Sequence, residues 1–500
     1  MPGAKGGADT TPAELDEICA TAERSATELE GLGREGRAVM LEAMAGALEM
    51  RRDELVAAAD AETALGPVRL ASELTRTGYQ LRLFAEVLRD GAYLEAVIDH
   101  AGPTPMGPRP DLRRMLRPLG PVAVFGASNF PFAFSVPGGD SASALAAGCP
   151  VVAKMHPLHP ETSSLCREAL VEGALAAGLA TEPVGLVSGQ QPGAELVAHR
   201  SIKAVGFTGS LQTGMILSRI AAQRSVPIPF YGELGALNAV VVCPEAAASR
   251  AEEIAAGLVA SFTLGVGQFC TKPGLVLVPG GTRGRALLEA LATRASEVRP
   301  ARMLGEPIAA RFVARAAEIA ASPGVSMLAQ GDRSRDPTSR DGLASLVYAE
   351  PGALRGVLLE ECFGPLLVAS TYADRAELVE LVEELSPALT ATLHADRGDD
   401  ELASALVGLL SSKVGRIVWN GFPTGVAVSW AMHHGGSFPA TTNPAHTSVG
   451  ASAIRRFLAP VCYQDVPEEL LPAELREEAT AQIPRRVDGR LVCPPERPIA

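Results

Sequence analysis

From residue 120 onwards, short runs of apolar residues alternate with segments that favour helices. Each run is apolar on both faces, as in VAVFG and AVGFTG. Such a strand needs cover on both sides, which a parallel sheet flanked by helices provides. The sequence therefore predicts an α/β fold whose ligands bind beyond the carboxyl ends of parallel strands. The predicted strands lie at 122–126, 151–155, 184–189, 204–209 and 239–244, with helices near 140–148, 161–178, 192–199 and 210–224.

The segments before residue 120 lack this alternation of apolar runs and helices. Residues 11–90 are predicted to be mostly helical, starting with a capping Thr11 followed by Pro12 and then Glu14. Residues 101–110, AGPTPMGPRP, are rich in Pro and Gly and are predicted to be neither helix nor strand. The stretch GLGREG at 31–36 matches a dinucleotide-binding pattern, but no strand precedes it. We therefore interpret it as a turn between helices.

Charge and composition exclude several classes of function. The net charge of −13 disfavours nucleic acids and anionic membranes as partners, because both need a basic face. No apolar run reaches transmembrane length and the N-terminus lacks a signal-peptide core, so we expect a cytoplasmic protein. The eight cysteines show no CxxC spacing, and no histidine cluster completes a set of ligands. No metal site is predicted.

The stretch GQFCTKPG, residues 267–274, places Cys270 among small residues, with Lys272 behind it. Thiolate is the reactive form of cysteine, and a free thiol titrates near about 8.5. A nucleophilic cysteine therefore favours an open, polar loop with a nearby cation. Cys270 is a candidate nucleophile, and a cysteine beside a tight turn is the alternative.

Two further polar residues sit where chemistry is expected. Glu233 stands in FYGELG between an aromatic and an aliphatic residue, a setting that would raise its pKa toward neutrality, as a general base requires. Asn129 follows the first predicted strand and has an amide that can donate to an oxyanion. The alternative for Glu233 is a solvated carboxylate in a turn, and the alternative for Asn129 is an ordinary turn residue. Ser210 begins a predicted helix, where it either caps the helix or helps to bind a pyrophosphate.

Taken together, these motifs are more specific than any one of them. GxSNFPF, VVAKMHP, GFTGS, GELG, GQFC, EECFGP and WNGFPTG follow one another in the order and spacing of the aldehyde dehydrogenase superfamily. The resemblance covers residues 115 to 460. The segments 113–163, 420–442 and 447–464 resemble its α-ketoglutarate semialdehyde (2,5-dioxopentanoate) dehydrogenase branch, and a fatty aldehyde dehydrogenase of luminous bacteria is a close relative.

The resemblance implies a covalent mechanism. Cys270 would add to the aldehyde carbon, and the oxyanion would be held by the Asn129 amide and the backbone N–H of Cys270. Hydride would leave for the nicotinamide, giving a thioester that water activated by Glu233 would hydrolyse. His434 matches a branch histidine near the active site, with no role assigned.

The resemblance also implies a set of cofactor-binding residues. Lys154 matches the lysine of the adenosine ribose, Gly209 and Ser210 match the pyrophosphate turn, and Glu361 and Phe363 match the pair that positions the nicotinamide. The remaining positions expected to line the cofactor are Ser128, His156, Gly189 and Leu234. NADP is favoured slightly over NAD, because branch members often use it and Lys154 and His156 could meet its 2′-phosphate. Against this, Gln190 stands near the place where some NADP-using relatives carry an arginine.

The implied fold is aldehyde dehydrogenase-like: a Rossmann-type cofactor domain, an α/β catalytic domain and a small oligomerisation element. The predicted boundaries are 1–235 for the cofactor domain, with an oligomerisation hairpin near 107–120, 236–434 for the catalytic domain, and 435–500 for the return to the cofactor domain and the C-terminal tail. A homodimer or homotetramer is expected.

The implied reaction is the oxidation of 2,5-dioxopentanoate to 2-oxoglutarate. Three alternatives stay open at this point: a medium or long aliphatic aldehyde as the substrate, a coenzyme-A-acylating enzyme, and an inactive binding or structural protein with this fold.

Overall fold

The structure is a computed structural model that describes residues 8–332, 340–477 and 483–494. Across these three ranges, none of the helices is both long enough and apolar enough to traverse a lipid bilayer. The cytoplasmic location stays a prediction.

The first part of the chain is helical, as predicted. Its first helix begins with a capping box, in which the Thr11 hydroxyl accepts from the backbone N–H of Glu14 at 3.3 Å and the Glu14 carboxylate accepts from the backbone N–H of Thr11 at 2.8 Å. The GLGREG segment contains the turn between the first two helices, at Leu32, which confirms that interpretation. The α-helices of the described residues are α1 Pro12–Gly31, α2 Gly33–Met50, α3 Arg52–Thr63, α4 Pro67–Asp90, α5 Gly139–Ala147, α6 Pro160–Ala176, α7 Gln190–Ala198, α8 Leu211–Gln223, α9 Pro244–Thr263, α10 Gly281–Ser296, α11 Glu306–Ala320, α12 Arg375–Glu384 and α13 Asp400–Ser411.

Within residues 8–332, 340–477 and 483–494, the strands form three larger sheets and two short two-stranded ribbons. In chain order they are β1 Val97–Asp99, β2 Gly102–Thr104, β3 Gly107–Arg109, β4 Leu112–Pro118, β5 Val122–Phe125, β6 Val151–Lys154, β7 Val184–Val187, β8 Ala204–Thr208, β9 Phe230–Glu233, β10 Asn238–Val242, β11 Pro273–Pro279, β12 Ala301–Arg302, β13 Val325–Gln330, β14 Asp341–Gly342, β15 Ser345–Ala349, β16 Leu366–Tyr372, β17 Ala388–His394, β18 Val414–Trp419, β19 Leu458–Gln464, β20 Arg485–Val487 and β21 Arg490–Val492.

Two of the sheets are built from the apolar runs of the sequence. The first has the order β7-β6-β5-β8-β9 with every pair parallel. The second has the order β13-β15-β16-β11-β10-β17-β18 and is parallel except for β13. These sheets confirm the predicted α/β class. The chain passes from the first sheet to the second between Glu233 and Asn238, and the domain boundaries given above stay a proposal.

Two predictions about the strands between residues 101 and 120 are wrong. β2 and β3 form a hairpin inside AGPTPMGPRP, with Pro103 opposite Pro108, although that segment was predicted to contain no strand. Proline is tolerated there because a two-stranded ribbon leaves many of its N–H groups unpaired. The predicted hairpin at 107–120 is also wrong, because β4 pairs with β1 and β19 in a sheet ordered β19-β4-β1-β20-β21.

The core of the first sheet extends into the N-terminal helices. Buried residues of α2, α4, α5 and α6 pack with β5 and β6 and with the 3₁₀-helix Ala451–Phe457 in one apolar cluster. This packing fixes α4 beside the loop that follows β5. The carboxyl ends of the first sheet, where Glu233 ends β9, face the amino ends of the second sheet, where Asn238 begins β10 and Cys270 precedes β11. The predicted reactive residues lie in this region.

Candidate active site

The loop that carries Cys270 lies between the end of α9 and the start of β11. Gly267 has a φ of +65°, and a Cβ there would lie 2.3 Å from the carbonyl carbon of Gly364. Glycine is needed for both reasons, and it lets the EECFGP loop pack directly on the cysteine loop. Asn238 holds the end of the cysteine loop that leads into β11. Its side-chain amide donates to the backbone carbonyls of Cys270 at 2.8 Å and Lys272 at 3.1 Å.

Glu233, Cys270 and His434 meet at one point, although 201 residues separate Glu233 from His434. Nε2 of His434 lies 2.8 Å from a carboxylate oxygen of Glu233 and 3.5 Å from the sulfur of Cys270. The other oxygen of Glu233 accepts a hydrogen bond from the Ser448 hydroxyl at 2.7 Å. Glu233 and His434 are buried, and Cys270 is half-buried. The structure thus brings a thiol, an imidazole and a carboxylate together at one largely buried position.

The sign of the pKa shift of Glu233 is opposite to the prediction. Burial acts to raise the pKa, as expected from the apolar neighbours. The Coulombic attraction of His434 and the hydrogen bonds from His434, Ser448 and Cys270 outweigh it, so the pKa of Glu233 lies below its usual value. Glu233 is therefore a carboxylate at neutral pH, ready to accept a proton.

The pKa of the Cys270 thiol is shifted in the opposite direction. Burial raises its pKa well above the usual value, and the charge and hydrogen bond of Glu233 and the charge of Glu361 raise it further. Lys272, the cation that follows Cys270 in the sequence, does not contact the thiol. Its side chain is buried, and Nζ donates to the backbone carbonyl of Leu366 at 2.8 Å. Lys272 instead ties the cysteine loop to the start of β16.

The amide of Asn129 is held beside the cysteine loop. Nδ2 donates one hydrogen to the backbone carbonyl of Gln268 at 2.8 Å, which leaves its second N–H for another acceptor. The backbone carbonyl of Asn129 accepts from Arg69 at 2.7 Å. The loop is held further by Glu73, whose carboxylate accepts from the backbone N–H groups of Phe132 at 2.8 Å and Ala133 at 2.9 Å.

Sequence reasoning missed the residues that hold this site together. Ser448 lies inside a recognised segment and Asn238 just after the GELG motif, yet nothing local shows what a buried serine or asparagine contacts. Arg69 and Glu73 are one turn apart on α4, in a segment for which the sequence predicted only helix. The available signal was charge within an otherwise apolar helical face, which indicates a buried polar partner.

The residues predicted to bind the adenosine end of the cofactor lie together at the ends of β6 and β7. Lys154 ends β6, and Gly189 precedes α7 with a φ of +103°. The ring of His156 stacks on His159, and its Nδ1 accepts from the backbone N–H of Leu158 at 3.2 Å. Burial and the neighbouring His159 and Lys154 hold the pKa of His156 well below its usual value, so it brings no positive charge.

The pyrophosphate and nicotinamide residues follow along the same edge. Ser210 caps α8, and the first turn of that helix is exposed, although the N–H of Gly209 is already donated to the Glu233 carbonyl at 3.1 Å. Leu234 is buried, and Ser128 and Phe363 are half-buried.

Glu361 completes this row of residues. Its carboxylate lies against Gly235, and burial raises its pKa to about 7. Within the described chain it accepts no hydrogen bond, so it has free acceptors for the hydroxyl groups of a ribose. This row of residues suits a nicotinamide dinucleotide.

The same three reactive groups also have the donor types that Zn²⁺ prefers. The thiol, imidazole and carboxylate of Cys270, His434 and Glu233 have ligand atoms within 4.8 Å of one another. Because Nε2 of His434 is already within hydrogen-bond distance of both neighbours, acid–base chemistry accounts for the arrangement without an ion. The absence of a metal site stays a prediction.

Comparison with known proteins agrees with this geometry. The sequence model of the aldehyde dehydrogenase family matches residues 6–443. The chain is 46% identical over 487 residues to alpha-ketoglutaric semialdehyde dehydrogenase 2 of Azospirillum brasilense, covering 96% of this chain and 92% of that protein. It is 41% identical over 483 residues to alpha-ketoglutaric semialdehyde dehydrogenase of Acinetobacter baylyi, covering 96% and 91%.

Solved structures share the fold. A methylmalonate-semialdehyde dehydrogenase from Oceanimonas doudoroffii superposes with a TM-score of 0.76 at 19% identity, covering 92% of this chain and 91% of that one. A 1-pyrroline-5-carboxylate dehydrogenase from Thermus, solved with bound NAD, superposes with a TM-score of 0.76 at 22% identity, covering 91% and 86%. At these identities the likeness concerns the fold alone.

The electrostatics of the pocket make a testable prediction. Glu233→Gln removes the negative charge that disfavours the thiolate, so the pKa of Cys270 should fall. Alkylation of Cys270 by iodoacetamide at pH 8 should become roughly tenfold faster, corresponding to about one pKa unit, and its pH profile should move to lower pH. Mass spectrometry of the Cys270 peptide measures the rate separately from the exposed Cys462 and Cys493.

The matched control is Glu360→Gln, which removes a neighbouring charge that pairs with Arg315 at 3.1 Å. It should leave the alkylation rate within about twofold, since an exposed ion pair is weakly coupled to its surroundings. An unchanged or slower rate in Glu233→Gln would contradict the assigned electrostatics.

Proposed function

Because the chain belongs to the aldehyde dehydrogenase family, we propose that it oxidises 2,5-dioxopentanoate to 2-oxoglutarate through a thioester on Cys270. The substrate is that of the two relatives named alpha-ketoglutaric semialdehyde dehydrogenases, to which this chain is similar over nearly its full length. The single observation that carries the chemistry is the placement of His434 between the sulfur of Cys270 and the carboxylate of Glu233.

The first step is attack of the sulfur on the aldehyde carbon. Since the pKa of the thiol is raised, it keeps its proton until a base accepts it. The Glu233 carboxylate accepts this proton, because the thiol is hydrogen-bonded to it and Nε2 of His434 donates to it at 2.8 Å. Glu233 loses this proton before the second half of the reaction. The second N–H of Asn129 and the backbone N–H of Cys270 hold the oxyanion of the thiohemiacetal.

The second half of the reaction frees the enzyme. A bound nicotinamide supplies the hydride acceptor for the oxidation, which leaves an acyl group on Cys270. The Glu233 carboxylate then takes a proton from the attacking water, with Ser448 and His434 holding it in place. The depressed pKa of Glu233 keeps it ionised at neutral pH for this task.

The first experiment tests the covalent route and the substrate together. Cys270→Ala should abolish aldehyde oxidation. Glu233→Gln should release one equivalent of reduced cofactor per active site and then turn over about 10²–10⁴-fold more slowly, because general base catalysis of hydrolysis is lost. For the unaltered enzyme, kcat/KM for 2,5-dioxopentanoate should exceed that for hexanal by roughly tenfold or more.

Each result has its own meaning. Full activity of Cys270→Ala would contradict the covalent mechanism. A higher kcat/KM for hexanal would leave the mechanism standing and assign the enzyme to aliphatic aldehydes.

The family uses NAD or NADP, and we propose NAD as the preferred cofactor, against the slight preference for NADP drawn from the sequence. Support comes from Asp9, which the sequence had not indicated. The carboxyl carbon of Asp9 lies 2.5 Å from the position of a Cβ added to Gly189, and its charge acts on Lys154 against burial. Thr10 holds this segment in place through two hydrogen bonds to the backbone of Ser188.

The charge at this point decides between the two nucleotides. A carboxylate beside Lys154 suits the 2′-hydroxyl of NAD as a hydrogen-bond acceptor, whereas it repels the 2′-phosphate of NADP. His156 is neutral and Gln190 stands near where a clamping arginine would be, so Lys154 alone would face the phosphate.

Calorimetric titration of the enzyme without substrate tests this choice. The unaltered protein should bind NAD⁺ more tightly than NADP⁺. Asp9→Asn should move the ratio of the two Kd values toward NADP⁺ by roughly tenfold, since one nearby charge is removed. Asp16→Asn, which removes an exposed carboxylate of α1 paired with His199, is the control and should leave the ratio unchanged. Tighter binding of NADP⁺ by the unaltered protein would overturn the proposal.

We also propose that the chain forms a homodimer or homotetramer. β19 is an edge strand of seven residues, and its Val461 is 40% exposed. An uncovered edge of this length is a ready partner for another strand, which a second copy would supply. Light scattering at micromolar concentration should give a multiple of 51.9 kDa, and a mass equal to one chain would count against association.

A further inference from the structure

We infer that Arg76 of α4 binds the carboxylate of the substrate and so selects oxo-acid aldehydes over neutral aldehydes of the same length. This inference rests on the proposed function, because it assigns a partner to the charged end of the proposed substrate. That end is four carbon–carbon bonds from the aldehyde carbon. Its cation must therefore come from a residue close to Cys270.

The face of α4 that carries Arg76 already forms a wall of the active site. Arg69, Glu73 and Arg76 follow at intervals of four and three residues, which puts them on one face of the helix. Arg69 and Glu73 are engaged with the backbone of the loop that carries Asn129, as described above. Arg76, one turn further on, continues the same face without taking part in that support.

The guanidinium of Arg76 lies near the reacting groups. Its carbon Cζ lies 5.2 Å from the ring centroid of Phe134, and that ring lies 6.2 Å from the ring of His434. Burial lowers the pKa of Arg76, and the Coulombic attraction of the Glu73 and Glu233 carboxylates acts against burial. An arginine stays protonated in any protein environment, so Arg76 places a permanent positive charge beside the reaction centre.

The guanidinium of Arg76 has hydrogen-bond donors that are not fully used within the described residues. Nη2 makes one long hydrogen bond of 3.4 Å to the backbone carbonyl of Val426. Nη1 is buried and has no hydrogen-bond partner within the described residues, where Arg76 also makes no ion pair. A buried N–H group without a partner costs free energy, which a bound carboxylate would recover through two parallel hydrogen bonds.

Neighbouring charges do not satisfy Arg76 in advance. Glu73 is the nearest candidate by position on the helix, yet one of its oxygens accepts the two loop N–H groups and the other has no partner within the described residues. Burial raises the pKa of Glu73 to about 7, so this carboxyl is partly protonated at neutral pH. It therefore competes weakly with a substrate anion for Arg76.

The other arginines near the thiol have structural contacts instead. Arg416 donates from Nη1 to the carbonyl of Gly425 at 2.9 Å and from Nη2 to that of Pro423 at 2.5 Å, so it clamps a loop and, in the described part of the chain, leaves only its Nε unpartnered. Arg69 is stacked between the rings of Phe130 and Phe269 while it holds Asn129. Of these three arginines, Arg76 has a whole terminal amino group available.

The test compares three five-carbon aldehydes: 2,5-dioxopentanoate, 5-oxopentanoate and pentanal. Arg76→Gln should lower the ratio of kcat/KM for either oxo acid to that for pentanal by about 10–100-fold, mainly through KM, because a charge-assisted hydrogen bond is lost. Arg76→Lys should recover part of the ratio, since it restores the charge without the planar fork. Arg82→Gln, on the same helix but paired with Glu49 at 2.7 Å, is the control and should leave the ratio unchanged.

The outcomes separate the two proposals. If the unaltered enzyme favours pentanal over both oxo acids, the proposed substrate is wrong and the role of Arg76 falls with it. If the unaltered enzyme favours the oxo acids and Arg76→Gln loses activity equally on all three aldehydes, Arg76 is structural and the proposed function stands. Thermal unfolding of each variant reports whether an equal loss comes from a damaged fold.

Discussion

The hydrogen bond between Glu233 and His434 holds the centre of this molecule together. It joins the end of β9 to a loop 201 residues further along the chain, inside a pocket with little access to water. In such a setting a carboxylate is stable only if its charge and its lone pairs are met by partners. Removing either residue would take a hydrogen-bond partner from a buried polar group, so catalytic placement and local stability depend on the same contact.

That contact explains why the pKa values of Glu233 and Cys270 are shifted in opposite directions. The partners of Glu233 lower its pKa, and the resulting negative charge helps to raise the pKa of the Cys270 thiol. The pocket thus favours one anion over two, as expected when like charges share a site of low dielectric constant. Lys272, the cation that the sequence offers beside the cysteine, is directed away to the backbone of Leu366.

The sequence predicted well what depends on local pattern. The parallel strands, the N-terminal capping box and the motifs around Cys270, Glu233 and Asn129 all lie where expected, because apolar runs and glycine punctuation act over a few residues. The predicted direction of the pKa shift of Glu233 was wrong, because that shift depends on His434 and Ser448, which no local pattern connects to Glu233. The proline-rich hairpin was missed because its pairing is permitted by the edge position, and the contact of Asp9 with Gly189 because it joins the chain start to the end of β7.

The order of the chemical steps follows from the single negative charge of the pocket. While Glu233 is ionised, a thiolate beside it is disfavoured, so the sulfur loses its proton only as it attacks and the negative charge passes to the oxyanion. Once the sulfur is acylated it no longer competes for charge, and Glu233 is again the group that accepts a proton, now from water. Nε2 of His434 lies 2.8 Å from the carboxylate of Glu233 and 3.5 Å from the sulfur, so it stabilises the negative charge of the pocket in place. One carboxylate can therefore assist both halves of the reaction because the sulfur and the carboxylate never need to be charged at the same time.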